Sequence, residues 1–237
     1  MHHTVEVHSL SFSYPNGVEA LREVTFSIGP DEKAALIGPN GAGKSTLMLH
    51  LNGLLMPASG EVHVGGLPVV QENLGQIRAW AGLVFQNPDD QLFNPHVFDD
   101  VAFGPLHMGL PEDEVRRRTV AALEAVGMGG YGERLSHQLS LGQKKRVAIA
   151  TVLSMDPKIL VLDEPTSGLD PRARRSLIEL LRDLERTMLI ATHDLHMVRE
   201  LLPRTIVLDE GCVVADGPTE AILSDAALLE RHGLEMP

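Results

Sequence analysis

The segment GPNGAGKS, at positions 38–45, constrains the fold more than any other part of the sequence. It follows the apolar run KAALI (33–37) and precedes the apolar run TLMLHLNGLL (46–55). Glycines at this spacing let backbone N–H groups turn inward around phosphate oxygens, and the N-terminus of a following helix adds partial positive charge. The segment therefore predicts a strand, a phosphate-binding loop and a helix, which is a unit of an α/β fold.

The polar residues of this loop are of the types that bind a nucleoside triphosphate. Lys44 can reach the β- and γ-phosphates, and the hydroxyl of Ser45 can bind Mg²⁺. We expect Thr46 to add a further contact. The predicted nucleotide-binding residues of the loop are Gly38, Pro39, Asn40, Gly41, Ala42, Gly43, Lys44, Ser45 and Thr46.

The rest of the chain alternates between strand and helix patterns on both sides of a different region. Apolar strand segments recur at 158–162 and 188–192, and a helical pattern fills 171–185 between them. This alternation predicts a largely parallel sheet with its ligand-binding loops at the carboxyl ends of the strands. We interpret the 237 residues as one domain, with a core of 1–86 and 156–237 interrupted by a mostly helical insert at 87–155.

Two carboxylates follow the strand segment at 158–162. Asp163 and Glu164 end an apolar run, where buried acids are costly unless a cation or a water lies beside them. A solvated strand end is the alternative, but the phosphate loop favours a catalytic interpretation. We expect Asp163 to bind Mg²⁺ through water and Glu164 to polarise the attacking water.

Two further strand patterns end in polar side chains. His193 follows the apolar segment LIAT (189–192), and Gln86 follows AGLVF (81–85). A lone histidine at a strand end is usually structural, but beside Lys44 and Glu164 it can sense the γ-phosphate. An amide such as that of Gln86 can bind Mg²⁺ or hold a water without a change of charge. Lys44, Gln86, Glu164 and His193 are thus the candidate catalytic residues, and Ser45, Gln86 and Asp163 the candidate Mg²⁺ ligands.

The bulk composition excludes several classes of partner. The net charge of −12 argues against nucleic acid as the main partner, because proteins that grip a nucleic-acid backbone usually present a basic surface. Cys212 is the single cysteine, so no disulfide can form within the chain. No apolar run approaches the roughly 18 residues that a membrane span requires.

Together these segments resemble the ATP-binding cassette (ABC) ATPases over nearly the whole chain. The resemblance implies a P-loop nucleoside triphosphatase core, an antiparallel β subdomain at the N-terminus and a helical subdomain, with ATP and Mg²⁺ as cofactors. It also implies that Tyr14 stacks on the adenine, although Phe12 is close by. The matching motifs are GPNGAGKS (Walker A), FQNP at 85–88 (Q-loop), LVLDE at 160–164 (Walker B), ATH at 191–193 (H-loop), and a D-loop formed by Ser167, Gly168, Leu169 and Asp170.

The segment LSLGQ (139–143) is a second apparent phosphate cradle, and the resemblance explains why one chain has two. It is similar to the family signature, usually LSGGQ, which caps the γ-phosphate held by Walker A of a second subunit. The resemblance therefore implies a dimer of two identical chains with two ATP molecules between them. The residues expected to act on the second subunit are Ser140, Leu141, Gly142 and Gln143, with Leu141 in place of the usual glycine.

The segment FQNPDDQLFNPHVFDDVAFGPLHMGL (85–110) is similar to the ATPases of energy-coupling-factor importers. The chain also resembles the cobalt and nickel branch of that group, which implies membrane transport subunits as partners and a location on the cytoplasmic face of the cell membrane. We expect Gln91, Leu92 and Phe93 to lie on an exposed loop and to dock those subunits. A vitamin importer of the same type and a soluble ABC ATPase without a transporter remain the alternatives.

Overall fold

The computed structural model describes residues 4–236. Strands are numbered along the chain as β1 (Val5–Ser13), β2 (Glu19–Ile28), β3 (Lys33–Ile37), β4 (Ser59–Val64), β5 (Leu67–Pro68), β6 (Ala81–Val84), β7 (Ile159–Asp163), β8 (Thr187–Ala191), β9 (Arg204–Asp209) and β10 (Cys212–Pro218). Helices are α1 (Lys44–Leu51), α2 (Leu74–Trp80), α3 (Val97–His107), α4 (Glu112–Ala125), α5 (Leu141–Leu153), α6 (Pro171–Asp183), α7 (Leu195–Leu201), α8 (Thr219–Ser224) and α9 (Ala226–Arg231).

The chain divides into two compact units. Within the described residues, the first unit contains 4–81, 158–164 and 185–236, and the second contains 82–157 and 165–184. The segment 165–184 therefore belongs with the helical unit, whereas the sequence analysis assigns it to the core. The reason is that α6 and the loop before it make tertiary contacts that a local sequence pattern does not reveal.

The first unit combines two sheets of different kinds. One is antiparallel, with the strand order β2-β1-β4-β5. In the other, β9, β3, β8 and β7 are neighbours in that order and run parallel, and β10 pairs with β9 in the antiparallel sense. The α/β fold with a mainly parallel sheet and an antiparallel N-terminal sheet is as the sequence analysis anticipates.

Burial explains why the parallel strands are continuous apolar runs. All five residues of β8 are buried, and so are the first four residues of β7. Central strands of parallel sheets are covered on both faces, so an alternating pattern of polar and apolar residues is absent from them. The apolar run of β7 ends just before Asp163. The carboxyl groups of Asp163 and Glu164 therefore stand at the edge of the sheet where ligands bind in α/β folds.

The second unit is mostly helical. Three acidic residues occupy the first turn of α4, where the helix dipole favours negative charge. Arg117 and Arg118 on the following turn bind Glu114 at 2.7 Å and hold the pKa of its carboxyl at about 2. Helix α3 was not predicted from the sequence, and Pro105 lies inside it. Proline removes one backbone donor and usually ends a helix, so this pattern is hard to recognise.

Within residues 4–236, no helix is both long enough and apolar enough to cross a membrane.

Candidate nucleotide-binding site

The backbone of the phosphate loop requires glycine at two of its positions. Gly38 has φ +154°, and a Cβ atom there would lie 1.9 Å from the carbonyl oxygen of Leu208. Gly43 has φ +103° and caps α1, and a Cβ atom there would lie 2.5 Å from the carbonyl oxygen of Ala20. The loop is therefore packed closely against neighbouring backbone at both ends, and its shape is set by tertiary contacts as well as by its own sequence.

Lys44, the first residue of α1, turns back over this loop. Its ammonium group donates to the carbonyl oxygens of Gly38, at 2.7 Å, and Pro39, at 3.0 Å. Burial lowers the pKa of Lys44, and the nearby carboxylates of Glu164 and Asp163 act in the opposite direction. A buried ammonium group held against the phosphate loop by two carbonyl oxygens is placed to receive the oxygens of a polyphosphate.

Ser45 and Asp163 meet although they are far apart in sequence. The hydroxyl of Ser45 donates to Asp163 Oδ2 at 2.9 Å. A hydroxyl and a carboxylate at the edge of the sheet form the all-oxygen donor set that Mg²⁺ prefers, and Mg²⁺ usually completes its shell with water and phosphate oxygens. The residues present therefore fit Mg²⁺.

Glu164 is held in a constrained position next to this pair. Its backbone adopts φ +44°, which is unusual for a residue other than glycine and is typical of functional sites. Its side chain is buried, and Oε2 accepts from the hydroxyl of Thr192 and the backbone N–H of His193, both at 3.3 Å. Burial raises the pKa of the Glu164 carboxyl, whereas His193 lowers it. A carboxylate with a raised pKa is suited to accept a proton from water.

His193 lies between the carboxylate and the lysine. Its Nε2 atom is 3.3 Å from Glu164 Oε1 and 3.5 Å from Lys44 Nζ. The imidazole is 44% exposed, so its ring can also be reached from solvent. The structure thus brings together four residues that the sequence analysis selects from three separate strand ends: Lys44, Asp163, Glu164 and His193.

Tyr14 contacts the first turn of α1. Its hydroxyl lies 3.0 Å from Thr46 Oγ1, and its ring meets Phe12 edge to face with 5.1 Å between the centroids. Phe12 in turn packs edge to face against the buried ring of His50 at 4.8 Å. Tyr14 is therefore hydrogen-bonded to α1, the helix that follows the phosphate loop. Its stacking on adenine stays a prediction.

Thr192 and His50 are residues of this site that sequence reasoning missed. The hydroxyl of Thr192 donates to the catalytic candidate Glu164, and His50 Nδ1 donates to the carbonyl oxygen of Thr46 at 2.8 Å. Thr192 lies inside the ATH segment, so its place beside His193 was a usable signal. Nothing in the local sequence distinguishes His50 from an ordinary helical residue.

The other predicted residues lie in the second unit. Gln86 is exposed, two residues beyond β6, and its carbonyl oxygen accepts from Lys145 at 3.2 Å. Ser140 is the N-cap of α5 and forms a reciprocal capping box with Gln143. Asp170, the last residue of the D-loop, caps α6 by accepting from the backbone of Arg172 and Ala173. The signature therefore lies at the start of a helix, with Ser140 as the N-cap.

The loop at Gln91, Leu92 and Phe93 differs from the expectation of an exposed apolar pair. Leu92 is buried, with 8% of its surface exposed, and only Phe93 is open, with 64% exposed. Gln91 turns inward and donates from Nε2 to the carbonyl oxygen of Ala148 and to Thr151 Oγ1 on α5. The expectation that Leu92 is exposed was wrong, because the loop folds back onto α5 through Gln91 and Leu92 is buried.

Comparisons with known proteins show the family of the chain. A family model described as ABC transporter matches residues 21–167, more than half of the chain. The energy-coupling factor transporter ATP-binding protein EcfA of Methanothermobacter thermautotrophicus is 50% identical over 238 residues, covering 98% of this chain and 76% of that protein.

Solved structures give the same result. CbiO1 of Clostridium perfringens, described as part of the ABC transporter complex CbiONQ, has a TM-score of 0.85 and 39% identity, covering 98% of this chain and 94% of that one. The ATP-binding cassette MJ0796, solved as a dimer bound to ADP and Pi, has a TM-score of 0.82 and 28% identity, covering 91% and 98%.

The phosphate loop, the Ser45–Asp163 pair and the buried Glu164 beside His193 define a P-loop enzyme that binds and hydrolyses a nucleotide. Within that class the chain belongs to the ABC transporter family, and it is an ATPase domain of that family.

Proposed function

We propose that this chain is the ATP-binding and hydrolysing subunit of an energy-coupling-factor importer for cobalt or nickel ions, in which it acts as a homodimer. The relatives support the importer type, since one carries the name EcfA and a neighbour is described as part of CbiONQ. The metal cargo rests on the sequence resemblance to the cobalt and nickel branch.

In this proposal ATP is bound by Tyr14 and the phosphate loop, with the ammonium of Lys44 on the terminal phosphates. Ser45, and Asp163 through water, would hold Mg²⁺ with Gln86 as a further ligand, and the ion would supply positive charge to neutralise the phosphates. Glu164 takes a proton from the attacking water, and His193 contacts the γ-phosphate. The signature of a second chain, with Ser140 at the N-terminus of a helix, covers the same phosphate.

Docking of the membrane partner is the step that separates a transporter subunit from a soluble ATPase. An exposed apolar surface of the second unit supports it, formed by Phe93, Phe103, Leu106 and Met108. These residues are 64%, 39%, 59% and 40% exposed. The rings of Phe93 and Phe103 meet edge to face at 4.9 Å, so these two side chains form a contiguous part of the surface. Contiguous exposed apolar patches commonly mark protein–protein contacts.

A buried carboxylate fixes the shape of this surface. Asp100, on α3, is 3% exposed, and its Oδ1 accepts from the backbone N–H groups of Phe93 and Asn94 at 3.0 and 2.8 Å. Its Oδ2 accepts from the hydroxyl of Ser136 at 2.8 Å. The loop that presents Phe93 is therefore preorganised, which lowers the entropic cost of binding a partner.

The test is a double substitution, Phe93→Ser with Phe103→Ser, in the complete transporter. Loss of two partly exposed rings from a buried contact costs on the order of 1–3 kcal/mol, so we expect assembly with the membrane subunits to weaken by roughly tenfold to a hundredfold. Accumulation of radioactive Co²⁺ and Ni²⁺ by cells should fall in parallel, while the isolated ATPase keeps its ATP affinity. Val120→Ser, at a position 42% exposed on α4, is the control for loss of a surface apolar group.

Undiminished assembly and metal uptake in the double variant would contradict the docking role. Vitamin uptake without metal uptake in cells with the wild-type transporter would replace the cargo but keep the importer. Failure of the wild-type chain to copurify with any membrane subunit would favour the soluble ABC ATPase.

A further inference from the structure

The start of α5 and the D-loop pack closely against each other at two glycines, Gly142 and Gly168. A Cβ atom on Gly168 would lie 3.0 Å from Leu141 Cδ2, and a Cβ atom on Gly142 would lie 3.6 Å from Leu169 Cδ2 and 3.3 Å from Ala173 Cβ. Each segment thus places a leucine against the glycine of the other. The arrangement is reciprocal, and it leaves no room for a larger residue at Gly168 without movement of Leu141.

Both sides of this contact are anchored in the second unit. Arg146, further along α5, donates to the carbonyl oxygen of Val126 after α4 and to Ser176 Oγ on α6, the latter at 2.7 Å. Asp170 caps α6, and Ser140 caps α5. The connection between α5 and α6 is therefore built from a side-chain bridge at one end and the two leucine–glycine contacts at the other.

Leu141 is the part of this connection that a signature of the usual LSGGQ form would lack. It is 42% exposed, so the rest of its surface is covered in the folded chain. A glycine at position 141 would leave Gly168, which has φ +74°, without this apolar neighbour. Because glycine has the widest conformational freedom, the D-loop would then be less restricted.

We infer that Leu141 is a positioning residue, which holds the D-loop at 167–170 against the signature so that Ser140 and the D-loop approach the opposite nucleotide as one body. The inference rests on the proposed ATP sandwich. It assigns to Leu141 a role in the rate of hydrolysis, and not in the binding of ATP by its own chain.

A double-mutant cycle of Leu141→Ala, Gly168→Ala and the combined variant tests this role. We expect Leu141→Ala to lower kcat at least fivefold with little change in KM, and Leu141→Met, which refills the space, to restore most of kcat. Gly168→Ala suffers both backbone strain and contact with Leu141. The combined variant removes the contact and keeps the strain. Its kcat relative to wild type should therefore exceed the product of the relative kcat values of the two single variants.

The matched control is Val120→Ala, an equally exposed apolar side chain on α4, which should keep the wild-type kcat. Urea unfolding of each variant verifies that the compared chains are folded. Multiplicative single effects, or no rescue by Leu141→Met, would overturn the positioning role.

Formation of ATP-dependent dimers by Glu164→Gln, with Leu141 in place, separates this result from a failure of the proposed function. Dimers together with multiplicative effects would reject Leu141 alone. Absence of dimers at saturating ATP and Mg²⁺ would overturn the ATP sandwich and the inference with it.

Discussion

At the scale of single residues, Glu164 combines three properties that are individually unfavourable. Its backbone is in the left-handed region, its carboxyl is buried, and its pKa is raised, first by that burial. Strain and burial at one carboxylate are costs that a residue with a purely structural role would not require. They are the expected properties of a general base that must hold a water in one orientation.

Glu164→Gln should therefore abolish most hydrolysis and stabilise the fold at the same time. The amide cannot accept the proton, so we expect kcat to fall by about 10²–10⁴-fold, the usual contribution of general base catalysis. ATP binding should persist, because Lys44 and the loop are intact, and the variant should accumulate as an ATP-bound dimer in gel filtration.

The effect on stability follows from the raised pKa. The folded chain binds this proton more tightly than the unfolded chain, so ionisation above the folded pKa lowers the stability of the fold. Glu164→Gln removes that cost, and its thermal midpoint at neutral pH should equal or exceed that of wild type. Glu61→Gln, at an exposed carboxylate, is the control for loss of one charge.

A Glu164→Gln variant that stays monomeric with ATP and hydrolyses ATP at the wild-type rate would exclude the catalytic role of Glu164.

At the scale of elements, the strand β3, the phosphate loop and α1 depend on contacts with other strands. Gly43 shows this dependence because its Cα faces the backbone of Ala20 on β2. Gly41 in the same loop also has a positive φ, +83°, but nothing lies within 4 Å of a Cβ placed there. Substitution of Gly41 therefore tests backbone strain alone, whereas substitution of Gly43 tests strain and steric contact together.

Gly43→Ala should destabilise the chain more than Gly41→Ala. Both substitutions place alanine in the left-handed region, at a cost of about 1–2 kcal/mol. Only Gly43→Ala also creates a clash, since its Cβ would lie 2.5 Å from a carbonyl oxygen, which adds about 1–3 kcal/mol. Urea unfolding without nucleotide measures the difference, and equal unfolding midpoints for the two variants would refute this explanation of Gly43.

At the scale of the whole molecule, the two phosphate-binding features lie in different compact units. The loop around Lys44 belongs to the first unit, and the signature around Ser140 belongs to the second. A chain that hydrolyses ATP with both features can combine them at one nucleotide within a single copy (in cis) or between two copies (in trans). The similar cassette MJ0796 was solved as a dimer bound to ADP and Pi, and the second arrangement is the one in the proposed function.

Mixing two inactive variants distinguishes these arrangements. Lys44→Ala removes the phosphate contact, and Ser140→Arg blocks the signature. If the signature acts in trans, a mixed dimer contains one site made of an intact Lys44 and an intact Ser140, and ATP hydrolysis should be partly regained on mixing. If it acts in cis, no mixed dimer contains an intact site, and the activity should stay at the level of the single variants at every mixing ratio.

The sequence by itself determined the α/β class, and it selected Lys44, Ser45, Asp163, Glu164 and His193, which the structure brings together. These features are encoded locally, by apolar runs of strand length, by glycine spacing and by polar residues at strand ends. Such patterns are readable because backbone geometry repeats every few residues. Parallel strands then bring their carboxyl ends to one edge, which places these residues together without further information.

Only the tertiary structure decided which residue of the Gln91–Phe93 loop is exposed, how Asp100 holds that loop, and what Leu141 contacts. Leu92 and Phe93 are adjacent and both apolar, yet one is buried and the other is open. Leu141 and Gly168 meet from segments that are distant in the sequence. The physical reason is that burial and side-chain contact are set by neighbours from other parts of the chain, and no local pattern carries that information.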